Sequence, residues 1–335
     1  MRRIARQLSW ASTRLKLLFL CGVLAVPTHA ETCLSSGDMD EASRSALMNT
    51  AKKYFDFAAK GDSASLQQHA IPSLATSFSG VENAVKENQP AFSGAQAVPR
   101  PPFLLKAEGS APIARAEFLC GVFGREGQTA NSAEFVIPSL PPGNYGLVTL
   151  DVTSPKGPHT LTFILQQIGN DWKLGGFYAK PAQISGHDGN WFAQQARTYK
   201  TKGQTRNAWF YYLEARELLV PVSFMYTQLT DKLYDEMQTV KPADLPPADL
   251  SSAGKTYKLL DLFPVVVGND LDLVVKYQSA DISNTGQTFQ DNMALMKALL
   301  AKYPEFREAF GGIVARAVEP SGRDYGSLMA MKDLK

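Results

Sequence analysis

Few residues in this 335-residue chain are spaced for chemistry. His69, His159 and His187 lie far apart, and no histidine pair falls at i, i+4. A metal centre needs clustered His, Cys or carboxylate ligands, so no metal and no cofactor are expected. Asp270-Leu271-Asp272 is too short for a calcium loop and reads as a solvated turn. There is no Gly-x-Ser-x-Gly elbow. Gly175-Gly176 and Gly311-Gly312 are isolated pairs, better suited to strand curvature or a turn than to a phosphate loop.

The remaining candidates for general acid–base work are Asp151, His159 and Tyr178. Strand alternation puts Tyr145, Leu147, Thr149 and Asp151 on one face; it likewise groups Trp172, Leu174, Gly176 and Tyr178, and on an earlier strand Arg115 with Glu117. The plainer reading leaves Asp151 at a solvent-exposed strand end, His159 at the start of the next strand and the Tyr178 hydroxyl outward. It is favoured because exposed strand-end charges outnumber perturbed acids in clefts. Trp209-Phe210-Tyr211-Tyr212 poses a different problem: one helix face cannot bury four consecutive aromatics. Packing on a sheet domain is the first explanation. A partner-binding patch through Trp209 and Tyr211 is the second.

The elements that would carry these residues begin after a leader. Residues 1–30 read as a signal peptide: Arg2, Arg3, Arg6, Arg14 and Lys16 precede an apolar run from Leu17 to Val26, then Pro27 and the small-residue end Thr28-His29-Ala30. The run is about half the roughly 20 residues of a spanning helix. The expected product is exported, periplasmic or secreted, without an anchor after cleavage. The formal net charge of +2 turns mildly negative once the leader's basic residues go, so nucleic-acid binding is not expected. Cys33 and Cys120 remain, and a disulfide between them is expected in an oxidising compartment. Two separate thiols, with Cys120 a small buried apolar residue, is the alternative.

Leu47, Ala51, Tyr54, Phe55 and Ala58 recur at helical spacing within 38–60, which Asp38 or Asp40 can cap. Shorter helices are expected at 63–69 and 81–87, and a loop over 88–102. The period changes to two from Phe103, with strands at 113–123, 133–137, 145–153, 159–168 and 172–179 separated by Pro/Gly/Asn turns. Helices followed by a meander predict an α+β layer.

That order of elements, closing in Gly169-Asn170-Asp171-Trp172-Lys173-Leu174-Gly175-Gly176-Phe177-Tyr178, resembles the nuclear transport factor 2-like (cystatin-like) superfamily over about 38–182, within an expected domain at 31–182. The resemblance implies helices on a curved sheet whose cone holds a few polar residues in the family's enzymes. The family also holds binders and scaffolds, so it selects no function. Within 190–240, Ala196, Tyr199, Gly203, Ala208, Tyr212 and Ala215 resemble one tetratricopeptide repeat, with Pro221 about one residue late. One repeat is too few for a solenoid, so a helical hairpin leaning on its neighbours is implied, with a third helix over 222–239.

A Pro-rich linker follows at 241–254. Then 255–335 reads as a ββαββ unit: strands 255–267 and 271–277, helix 286–302, strands 312–319 and 327–332. The expected fold is α+β: helices on a curved antiparallel sheet, a helical hairpin, then this small unit. The expected function is an exported non-catalytic binding or protein-interaction module, whose partner is another exported protein or a small ligand. The alternative is an extracytoplasmic enzyme or small-ligand binder using the cone.

Overall fold

The structure is a computed structural model that describes residues 31–123, 128–252 and 254–335; the leader reading at 1–30 lies outside the described residues. Strand β1 (Glu31–Leu34) precedes α1 (Glu41–Lys60). Asp40 caps α1 by accepting a bond from the Ser43 amide, and Gly61 closes it in the left-handed region. The five residues picked out by helical spacing, Leu47, Ala51, Tyr54, Phe55 and Ala58, are its buried face. Helices α2 (Ser63–Gln68), α3 (Pro72–Ala75) and α4 (Ser79–Phe92) follow, then β2 (Gln96–Pro99) and β3 (Phe103–Ala107). The expected loop at 88–102 is therefore largely ordered. Helix α4 runs on through Pro90, and β2 pairs with the end of a later strand.

The hairpin β4 (Ile113–Cys120) and β5 (Ala133–Leu140) leaves the main sheet. It forms a separate sheet, ordered β11-β5-β4, with the later strand β11 (Met225–Thr227). The main sheet runs β1-β3-β6-β7-β8, where β6 is Gly143–Thr153, β7 His159–Ile168 and β8 Asp171–Pro181. One face carries Val148, Leu150, Val152, Leu161, Phe163 and Leu165, which pack with α1 and α4. The other face carries Phe103, Leu105, Tyr145 and Leu147, covered by Phe118 and Phe135 of the small sheet. The Cys33–Cys120 disulfide joins β1 to β4 across these layers.

Two short strands, β9 (Gln183–Ile184) and β10 (His187–Asp188), lead into the helical pair α5 (Gly189–Thr201) and α6 (Thr205–Leu219). The expected helix over 222–239 begins instead as β11, and only α7 (Gln228–Gln238) is helical. Thr227 and Thr230 form a reciprocal capping box that fixes this switch from strand to helix. A hairpin, β12 (Leu250–Ser252) and β13 (Lys255–Tyr257), occupies the end of the expected linker and the first residues of the expected strand.

The last unit has sheet order β14-β15-β16-β17, with β14 Leu259–Val267, β15 Asp270–Gln278, β16 Gly312–Val318 and β17 Asp324–Ala330. Strands β15 and β16 are parallel and are connected through α8 (Thr285–Lys302) and the single turn α9 (Phe306–Ala309). One apolar core runs from α5, α6 and α7 through β14–β16 and α8. The helical pair and the ββαββ unit thus share their buried surface.

Candidate functional site

A wide cleft opens on the outer face of the main sheet, beside the β4–β5 hairpin. Its volume is about 1110 Å³. One wall is Phe103, Leu147, Thr149 and Asp151; the other is Met225, Thr227 and, on α7, residues 228–232 with Asp235. Leu219 and Pro221 close the base, and Ala130 to Ser132 close one end. Sequence distance explains why such a site is hard to see in the chain: its walls come from 100–151 and from 219–235, and β11 joins them by pairing with β5.

Most polar groups here are already engaged. Arg100 grips Asp151 as a fork, with Nε 3.0 and 3.1 Å from the two carboxylate oxygens and Nη2 2.6 Å from Oδ1. The Thr149 and Thr162 hydroxyls bond each other at 3.0 Å. Ser132 Oγ donates to the Gly121 carbonyl and accepts from the Thr129 amide. The Thr227 and Thr230 hydroxyls are spent on the cap. Behind the base, Lys180 Nζ donates to the Glu217 and Val220 carbonyls at the end of α6, and its burial pushes the amine down from the ordinary lysine value.

The three acid–base candidates are not brought together. Asp151 pairs with Thr160 across β6 and β7, whereas His159 pairs with Val152. His159 therefore points to the helix side, where it meets Phe92 edge-on and its Nδ1 lies 3.0 Å from the Gly157 carbonyl. Tyr178 sits beside Thr162, two strands from Asp151, and packs edge-on against Phe224. Its grouping with Trp172 and Leu174 is corrected by a bulge: between Ile164 and Leu165 the register with β8 shifts, so Leu174 and Phe177 face the helices while Tyr178 faces outward. Arg115 and Glu117 do pair, at 2.6 Å, on the exposed side of β4.

The aromatic run of α6 is absorbed chiefly by the C-terminal unit rather than by the main sheet. Phe210 packs on Phe306 and Phe310. The buried Tyr211 hydroxyl donates to the Ala309 carbonyl at 2.6 Å, and Tyr212 donates to Glu236, which Arg197 also holds. Trp209 is half-buried on the rim of that core, with Lys241 Nζ 6.0 Å from the ring centroid. Among the described residues, no group of three or more His, Cys, Asp or Glu could hold a metal, and no helix is long and apolar enough to cross a membrane. Compared with known proteins, the chain matches no family model, no curated protein and no solved structure.

Proposed function

We propose that this chain is an exported, non-catalytic binding module. In this reading a nuclear transport factor 2-like α+β unit, joined to a tetratricopeptide-like helical pair, takes a small ligand in the cleft between β6 and α7. The observation that carries the reading is the cleft itself. It is large enough for a small molecule, has apolar lining in Leu147, Leu219 and Met225, and commits the Arg100–Asp151 fork and the hydroxyls of Thr149, Ser132, Thr227 and Thr230 to internal bonds. General acid–base work by Asp151, His159 and Tyr178 would need the Asp151 carboxyl free beside a second titrating group. Asp151 is instead held by Arg100, with His159 on the far side of the sheet. The helix-facing side of the sheet, the other place for a cone, is packed by Phe163, Leu165, Leu174 and Phe177. The disulfide supports an oxidising destination, periplasmic or secreted.

Ala130 is an exposed residue at the cleft's end, so Ala130→Trp adds bulk to the opening without removing core contacts. A neutral environment-sensitive dye such as Nile red should brighten with the wild-type protein, and Ala130→Trp should abolish the gain at unchanged thermal stability. Equal brightening by both proteins, or none by the folded wild type, would remove the cleft from consideration.

A further inference from the structure

We infer that the ligand of this cleft is an uncharged amphipath, an apolar chain ending in a neutral hydrogen-bonding head such as a carboxamide or hydroxyl; the inference rests on the cleft being the binding site. Charges on the sheet wall cancel where they stand. Arg100 and Asp151 meet at 2.6 Å, each about half exposed at the side chain, so neither calls for a ligand of opposite sign. On the helix wall Asp231, Lys232 and Asp235 mix both signs along the exposed side of α7. An ion pair with a group so solvated changes affinity by at most about five-fold.

Both walls offer apolar surface. Phe103 and Leu147 pair across β3 and β6 on one wall; Met225 lies on the other, where Leu229 of α7 stays 45% exposed. A charged head drawn against this surface would lose hydration with no partner to replace it. Neutral polar groups are available at one end. Thr227 pairs with Ala133 in antiparallel register, which puts Gln228, just after the first, at the same end as Asn131, two residues before the second. Neither side-chain carboxamide has a hydrogen-bond partner among the described residues. Each can both donate and accept, as a neutral head requires. This end takes the head, and the apolar walls take the chain.

Octanamide, octanoate and octylamine share a chain, and the first two also share a head shape, so calorimetric titration of the full-length protein with each isolates charge. Octanamide should bind about ten-fold tighter than either charged analogue. The double variant Asn131→Ala/Gln228→Ala should weaken octanamide about five-fold and leave octylamine unchanged. Asp151→Asn releases Arg100, so it should strengthen octanoate about five-fold and keep octanamide within about two-fold. If either charged analogue binds the wild type as tightly as octanamide, the ligand is not uncharged, though the cleft stands. Unchanged octanamide affinity in the alanine variant would overturn the head site. Unchanged octanoate affinity in Asp151→Asn would overturn the Arg100–Asp151 pair as the group that excludes anions. If none of the three binds the wild type, the cleft reading itself falls. The wild-type comparison decides the ligand's charge whether or not the variants fold.

Discussion

Glu214 is a carboxyl whose ionisation the fold disturbs strongly. Burial on α6, with Glu217 nearby, pushes its carboxyl from 4.5 up to about 7. The folded state therefore keeps a proton that the unfolded chain has already released. Stability from this group is full below pH 4.5, falls as pH rises toward 7, and is flat above. The slope cannot exceed about 1.4 kcal/mol per pH unit for one proton, and partial solvent contact makes it smaller. Glu214→Gln should flatten that window, read as the difference in urea midpoint between variant and wild type from pH 5 to 8. A difference that stays constant with pH would clear Glu214 of the effect. Nothing in the sequence separates Glu214 from Glu217, which is exposed; only the packing of α6 does. The acid–base candidates show the same limit. Alternation places Asp151 and Thr149 on one face correctly, but the bulge in the β7–β8 pairing that turns Tyr178 outward leaves only a Gly175-Gly176 pair as its trace.

Elements were more legible than their partners, because periodicity reports a buried face but not what covers it. The helical spacing in α1 named its buried side residue for residue, yet gave no hint that the β4–β5 hairpin would leave the meander to cover the opposite face of the sheet. Pairing of β5 with β11 closes a gap of about 90 residues in the chain, and local pattern carries no signal at that range. At Gly146 on β6, helix α1 lies close against the sheet. A methyl group there would lie 2.1 Å from Leu47 Cδ2 of α1, and Leu47 is fully buried. Gly146→Ala should therefore cost about 1–3 kcal/mol by overpacking. In a Leu47→Ala background, where the conflicting methyls are gone, the same change should cost little. Chemical denaturation of all four proteins gives the coupling between the sites, expected above about 1 kcal/mol. Additive effects would mean that α1 shifts to make room and that the close approach constrains nothing.

At the scale of the whole molecule, the cleft lies along a seam. On one side, two cores sandwich the main sheet between α1–α4 and the β4–β5 hairpin. On the other, a single core unites α5–α7 with the ββαββ unit. The connections across the seam include β11 on β5 and Lys180 on the end of α6. The disulfide belongs wholly to the first side, closing 87 residues of chain between β1 and β4. In the chain-entropy account such a loop can contribute up to about 4–5 kcal/mol. Reduction should thus weaken the N-terminal side and leave the C-terminal core untouched. Scanning calorimetry of the reduced protein should resolve two transitions, the lower moved down by several degrees and the upper at its oxidised position. If both instead move down together, β11 and Lys180 couple the two sides into one cooperative unit. The cleft would then be a rigid slot between them rather than a seam able to open around a ligand.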